Sequence, residues 1–557
     1  MAGCAKPARE VSFERVKTPA DLAEHSEEFR RRIEHVTDRV HVAIGYGLAN
    51  SILLVGEDGV IVVDTLGTIE AAREVWNEFR KITDKPLRAI IYTHNHADHV
   101  FGARGFAPEA DVPVYAHKTT ARYIDRVVSV VRPIIGVRSM RMFGTYLDDA
   151  ARVNAGIGLR LGIDEHHTVG VIRPTRVFED ELEDEVAGIR FRLVSAPGET
   201  NDQLFVWLPD DRVVLPGDNI YKTFPNLYTI RGTPYRDVSK WVESLDEIRA
   251  LRPDYLVPSH TGPIAGAERI ERTLRDYRDA IQYVHDQTIR GMNQGRTPDE
   301  LAATIKLPPH LARSPYLAEF YGTVAWSVRS VFDGNLGWFD GNPTRLDPLA
   351  PLERAKRMAE LAGGRDRLLA QAREAARQRD WRWVLELTDH LLQLDREDER
   401  AKKLRIAALE ALGGQASNPN ARHYYLTRAA ELAGRIEIAP RPAKPLPEMV
   451  HEFPLENFFR AMAVNLDPVA SADLDQRVGF VFPDTGEAFT IHVRRGVAEI
   501  QDRLADDLDM KATVDSKVFK EMLAELRNPA WTIAHDFDVE GGKLAFTKFM
   551  SLFRPPS

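Results

Sequence analysis

One cysteine, Cys4, stands in the whole 557-residue chain. It cannot close an intrachain disulfide, and it cannot build a metal site from several thiolates. Any metal here must be held by imidazole and carboxylate groups. Long apolar runs are missing as well, since nothing approaches the ~20 consecutive residues that would span a bilayer as a helix. An excess of positive charge is also missing: the formal net charge is −9, which argues against a surface for nucleic acid. What is present, 44% hydrophobic and 28% charged residues, is the make-up of a soluble folded chain. Single cores seldom grow past ~250–300 residues, so several domains are expected.

The opening residues Met1-Ala2-Gly3-Cys4-Ala5-Lys6-Pro7 show no basic stretch followed by an apolar one. As written, the chain reads as cytoplasmic. Ala2-Gly3-Cys4 resembles the end of a bacterial lipoprotein signal, a reading that would move the start upstream and the protein to the periplasm or beyond.

The densest chemistry lies in Thr93-His94-Asn95-His96-Ala97-Asp98-His99, which places four metal-ligating side chains within six positions. The run Leu87 to Tyr92 before it reads as a buried strand. Histidines two apart at a strand end project to one side, and a turn brings Asp98 and His99 back towards them. Imidazole suits zinc, and the neighbouring carboxylate leaves room for a second ion. Three later loops each follow a strand-like run and each offer a ligand type. They carry Glu199 after Pro197-Gly198, Asp218 after Gly217, and His260 after Ser259. Loops on a strand scaffold are where function concentrates.

Taken together, the HxHxDH core, the Pro-Gly-x loop, the Gly-Asp loop and the Ser-His-x-Gly loop resemble the metallo-β-lactamase superfamily. Glu199 stands where most members have histidine, and this resembles the zinc-dependent alkyl sulfatases. Asn226 to Gly232, Tyr321 to Val324 and Gly337 to Pro343 are similar to the same family.

The resemblance implies an αββα sandwich over residues 1–345, with loops at one sheet edge holding the metals. A helical dimerisation domain over 346–440 and a C-terminal domain over 441–557 follow. Within the first, Asn50–Val55 and Val60–Asp64 read as a hairpin, Thr68–Ile82 as an amphipathic helix, and Ala267–Gly291 and Pro315–Phe332 as further helices. Asp64 reads either as support for the metal ligands or as a strand-end turn residue. Between 352 and 439 the apolar residues recur at helical spacing. Residues 477–514 alternate as an antiparallel sheet would, and the chain end resembles a sterol-carrier-protein-2 fold, one that can hold an apolar cavity. The boundaries are marked by Asp340-Gly341-Asn342-Pro343 with Leu346-Asp347-Pro348-Leu349-Ala350-Pro351, and by Arg441-Pro442-Ala443-Lys444-Pro445-Leu446-Pro447.

For the site, the resemblance implies two Zn2+, with His94, His96 and Glu199 on one, Asp98, His99 and His260 on the other, and Asp218 between them. Asp98, Arg231 and Asn226 would serve catalysis, with Arg231 as the sulfate-binding arginine and Asn226 as its polar neighbour. Phe143, Thr145 and Trp326 would complete the substrate pocket. The first two replace a Tyr and an Asn common in the family, and Trp326 replaces a His. The expected reaction is hydrolysis of a small-molecule alkyl sulfate by a homodimer. A phosphoester or lactone hydrolase with the same metals, and a lipid-binding scaffold without catalysis, are the other readings.

Overall fold

The computed structural model describes residues 16–438 and 444–553. Cys4 and the first part of the expected second linker, residues 441–443, therefore lie outside the described residues. Among the described residues no helix is long and apolar enough to cross a membrane.

Two sheets stack face to face. The first has seven strands in the order Arg32–His35, Val40–Ile44, Ser51–Val55, Val60–Val63, Leu87–Ile91, Val114–His117 and Arg176–Phe178. The second has six: Ile264–Ala265, Tyr255–Leu256, Val213–Leu215, Leu204–Leu208, Ile189–Ser195 and Glu181–Val186. Between them lies a core that includes Val42, Ile52, Ile61, Ile91, Leu193, Val206 and Leu215. Helices cover both outer faces, so the central strands are buried on both sides and read as continuous apolar runs. Helix Ile69–Ile82 packs on the first sheet through Ala72, Val75 and Phe79. It starts where Thr68 Oγ1 accepts from Ala71 N at 3.3 Å, as an N-cap should. Helices Val238–Ala250 and Ala267–Met292 pack on the second sheet. This is the αββα sandwich the sequence implied.

Strand direction sets the position of the site. Val60–Val63 pairs parallel with Leu87–Ile91 across the helix 69–82 crossover. In the second sheet, Ile189–Ser195 and Val213–Leu215 are each antiparallel to Leu204–Leu208, and Val213–Leu215 is parallel to Tyr255–Leu256. All five strands that precede Asp64, His94, Glu199, Asp218 and His260 thus deliver their C-terminal ends to the same edge. Open α/β sheets bind ligands at such an edge.

The expected helix from Pro315 begins only at Val324 and runs to Leu336. A Cβ on Gly322 would run into the backbone of Pro225 and Asn226, so the chain there is spent on close packing rather than on a helical turn. Thr323 then caps the helix through Trp326 N. Five helices follow between Pro351 and Leu432 around a core of Leu368, Leu369, Val384, Leu387 and Leu391. The last of them, Pro419–Leu432, returns to pack on helix Arg132–Phe143 through Leu426 and Met140. There Arg141 and Glu431 form an ion pair at 2.8 Å. The connection between 333 and 352 lies on the surface, with Leu336, Trp338, Leu346, Leu349 and Leu352 exposed.

The C-terminal sheet orders its strands 497–501, 487–494, 475–482, 510–513, 538–540. The expectation of a wholly antiparallel sheet over 477–514 is corrected here. Asp475–Phe482 and Met510–Thr513 run parallel, because residues 502–509 carry the chain across to the far side of 475–482. Phenylalanines occupy the space between this sheet and its helices: the Phe459 ring lies 4.4 Å from Phe489 and 5.3 Å from Phe519. Lys444–Pro445 pairs with Thr168–Val169, and Arg104 forms an ion pair with Glu452. Both contacts tie this unit to the sandwich.

Candidate metal centre

Strand Leu87–Ile91 ends beneath Tyr92, whose hydroxyl donates to Ile172 O at 2.9 Å. A short turn follows, and helix Ala97–Val100 starts at once. That reversal returns Asp98 and His99 to the space beside His94. The His94 ring lies 4.6 Å from His96 and 4.1 Å from His99, and His99 lies 5.3 Å from His260. Asn95 Nδ2 donates to the buried Asp202 at 2.5 Å, locking the histidine loop to the loop that carries Glu199.

Two sets of donor atoms converge, each set within 4.8 Å: His94, His96 and Asp218, and Asp98, His99 and His260. Asp218 Oδ2 lies 3.1 Å from His260 Nε2, 3.4 Å from His99 Nε2 and 3.6 Å from His94 Nε2. It therefore stands between the sets.

The ring orientations are fixed from behind. His99 Nδ1 donates to Asp64 Oδ2 at 2.8 Å, and His260 Nδ1 donates to Leu48 O at 2.8 Å. Thr93 gives its hydroxyl proton to Asp64 at 2.8 Å, so its oxygen accepts from His94 Nδ1 at 3.1 Å. In each ring the remaining Nε2 turns towards Asp218. Asp64 itself sits at φ +58°, a strained setting for a non-glycine residue that is common at functional sites.

The electrostatics divide the imidazoles. Burial pushes His94 and His96 well below the usual range, helped by His99 for the first and by the Arg231 guanidinium for the second. Burial also works against protonating His99 and His260. There it is outweighed, chiefly by the Asp218 carboxylate, and both are raised, His99 strongly. Asp218 is held well below the carboxylate range by the three imidazoles around it, against the effect of burial. This pocket draws positive charge to the His99–Asp218–His260 face. A divalent cation supplies that charge while leaving the imidazoles neutral, as ligation requires. His99 Nε2 and Asp218 Oδ1 are buried without a hydrogen-bond partner among the described residues, and such orphaned acceptors fit a cation. The residues present can hold metal ions.

One expected ligand is placed differently. Glu199 stands outside both donor sets. Its Oε2 is drawn to Arg236 Nη1 at 2.6 Å and accepts from the Tyr221 hydroxyl at 3.3 Å. Burial lifts its carboxyl to about 7, with Arg236 pulling the other way. Arg231 donates to Thr229 Oγ1 and to His96 Nε2, both at 2.9 Å, so it lies within reach of the first set.

A cavity of about 110 Å³ opens over the site. Its lining includes the polar His96, Asp98, Asp218, Arg231 and Arg236 and the apolar Val127, Ile135, Phe143 and Leu161. Of the expected pocket residues, Arg231 and Phe143 line it, and Asn226, Thr145 and Trp326 do not. Trp326 is instead placed in the first turn of helix Val324–Leu336, where its backbone N–H is taken by the cap. Asn226 is fully buried, and neither atom of its amide has a partner among the described residues. Sequence reasoning passed over Arg236, Tyr221 and the helical wall at Val127 and Ile135. The signal for Arg236 was available: two arginines five apart in one glycine- and proline-containing loop.

Comparison with known proteins agrees with this geometry. Residues 44–260 match the metallo-beta-lactamase superfamily, residues 297–435 match alkyl sulfatase dimerisation, and residues 444–557 match alkyl sulfatase C-terminal. A linear primary-alkylsulfatase of Pseudomonas sp. is 38% identical, over 89% of this chain and 97% of its own. An alkyl/aryl-sulfatase of Saccharomyces cerevisiae is 30% identical over 93% of this chain and 82% of its own. The solved structure of a stereoselective inverting sec-alkylsulfatase from Pseudomonas sp. superposes with a TM-score of 0.89 at 27% identity, covering 97% of this chain and 87% of that one.

Proposed function

The chain belongs to the alkyl sulfatase family, and on that premise we propose that it hydrolyses alkyl sulfate esters to an alcohol and inorganic sulfate, with two zinc ions as cofactor. The observation that carries the reading is the pair of donor sets sharing Asp218 beside a cavity that Arg231 also lines. Zinc, when bound, supplies a Lewis acid for the sulfate oxygens and lowers the pKa of a water towards ~7.

His94 and His96 would hold one ion, with Glu199 joining them only through the oxygen that Arg236 does not engage. Asp98, His99 and His260 would hold the other, with Asp218 within reach of both. Two Zn2+ outweigh the carboxylates of Asp98, Asp218 and Glu199, and Arg231 adds to the excess. A sulfate monoester is therefore drawn in despite the acidity of the chain as a whole. Arg231 meets the sulfate group with its planar donor fork. Asn226, behind the cavity lining with its amide unpartnered, is kept as the polar neighbour of Arg231. Asp98 lines the cavity besides joining the second set, so its carboxylate is placed to take the attacking water's proton. The apolar wall at Val127, Ile135, Phe143 and Leu161 receives the alkyl chain.

The same reading gives a homodimer, with domain boundaries near residues 345 and 440. The expected contact is the helical domain over residues 352–439. We extend it to the exposed stretch just before it, with Leu336, Trp338, Leu346 and Leu349, which also falls inside the segment that matches alkyl sulfatase dimerisation. Large apolar side chains left exposed close together in the chain are candidates for an interaction surface.

A sulfate-release screen over linear and branched alkyl sulfates, with phosphoesters and lactones alongside, tests the reaction. Metal analysis should find about two zinc ions per chain, and His96→Ala should abolish turnover. Turnover of a phosphoester or lactone alone would replace this reading.

A further inference from the structure

The arginine that holds Glu199 has more donors than the protein uses. Arg236 is 1% exposed. Its Nη1 carries two N–H groups, and both are engaged: one with Glu199 Oε2 at 2.6 Å, the other with Asn226 O. Nε and Nη2 have no hydrogen-bond partner among the described residues, although both are buried. These two nitrogens form one side of the guanidinium plane, and their N–H bonds point the same way. That edge binds two oxygens of a carboxylate, phosphate or sulfate at once.

Leaving such an edge buried and unpaired is costly, because a charged donor loses its water without replacement. Buried polar groups almost always find a partner, so an unpartnered fork points to a ligand. Arg236 lines the same cavity as His96, Asp98, Asp218 and Arg231. Arg231, by contrast, is already hydrogen-bonded to Thr229 and His96.

We propose that Arg236 is a second anion-binding residue of the site: tethered through Nη1 to Glu199, it presents Nε and Nη2 as a fork to two oxygens of the sulfate group. The proposal rests on the alkyl sulfatase reading for the identity of the anion. The tether explains why a lone fork can be held rigid: Glu199 balances its charge, and the Asn226 carbonyl fixes its plane. Arg231 and Arg236 would then grip the sulfate from two positions on one loop.

The test is Arg236→Lys in the full-length, zinc-loaded chain. Lysine keeps the positive charge beside Glu199 but has no side-on fork. Zinc content should match the parent, while the inhibition constant for inorganic sulfate and the KM for an alkyl sulfate should both rise roughly tenfold or more, the loss expected for a charge-assisted hydrogen bond. The value of kcat should change less than KM. A sulfate inhibition constant within twofold of the parent overturns the proposal. So does loss of zinc, which would show that Arg236 acts only through Glu199. Arg236→Gln, whose amide can still donate to Glu199, gives the same readout if the lysine variant does not fold. Calorimetric titration of sulfate into the zinc-loaded protein separates this idea from the reading it rests on. If the parent turns over no alkyl sulfate, the reading falls, while weakened sulfate binding by the variant would still support the fork.

Discussion

Asp64 Oδ2 lies 2.8 Å from His99 Nδ1, and Ser259 Oγ donates to the same oxygen at 2.7 Å. Thr93 donates to this carboxylate through both its backbone N–H and its hydroxyl. One buried carboxylate therefore sets the His99 ring directly, and the His94 ring through Thr93. It also joins the two sheets, since Ser259 follows a strand of the second sheet and Asp64 one of the first.

From this comes the first prediction. Asp64→Asn keeps the size of the side chain but removes the charge behind His99. Zinc affinity, measured by competition with a chelator, should fall roughly 10- to 100-fold, the usual cost of losing a partner behind a metal-ligating imidazole. The variant should remain folded. Zinc affinity equal to the parent's would show that Asp64 serves only the strand turn.

The second concerns pH. His99 and His260 are raised above the ordinary histidine value, mainly by Asp218 acting against burial. A raised imidazole holds its proton to higher pH, and zinc must displace that proton to bind. Apparent zinc affinity should therefore strengthen as pH rises through 6.5 and above, and weaken as pH falls. Competition titrations between about pH 6 and 8 should show tenfold per pH unit for each proton released. A pH-independent affinity would mean that both rings are already neutral.

Much of this site was legible in the sequence because its ligands follow strands, and strands announce themselves by apolar runs. His94, His96, Asp98, His99, Asp218 and His260 were all found in that way, and the structure brings them together. The cavity wall was not legible. Val127 and Ile135 belong to helices whose apolar residues look like any packing face until the fold turns them towards the cavity. The spacing of Arg236 from Arg231 is visible in the sequence, but its role is not, since that depends on Glu199, which is 37 positions earlier in the chain and meets it only through tertiary contact. Trp326 misled because a family position was read as a pocket position, whereas a helix cap fixes it elsewhere. The parallel pair in the C-terminal sheet could not be read either, because alternation reports burial and not strand direction.

The third prediction tests assembly. Trp338 is 72% exposed and Leu346 62%, so replacing both with aspartate leaves no core unfilled. If this stretch joins two copies, Trp338→Asp with Leu346→Asp should convert a dimer to a monomer at micromolar concentration by light scattering. Thermal stability of the isolated chain should shift little, as for other exposed substitutions. A variant that remains dimeric would place the contact on another surface.

The last prediction concerns Arg231, whose Nη2 donates to His96 Nε2 at 2.9 Å. His96 turns its other nitrogen, Nδ1, to within 2.9 Å of His94 Nε2, so Arg231 can hold Nε2 while its guanidinium lines the cavity. There it would meet the sulfate group of the substrate. Arg231→Lys keeps the charge but loses the two-pronged geometry, and sulfate release should fall about 10- to 100-fold, from roughly 1.5–3 kcal/mol of charge-assisted hydrogen bonding. Zinc content should stay unchanged, because Arg231 is not itself a ligand. Release within about twofold of the parent would show that the anion is gripped elsewhere, and Arg236 would then be the first place to look. Combining the two lysine variants separates the cases. If both arginines hold the same sulfate, their effects should depart from additivity, as substitutions sharing one partner do. Independent, additive losses would assign them to different steps.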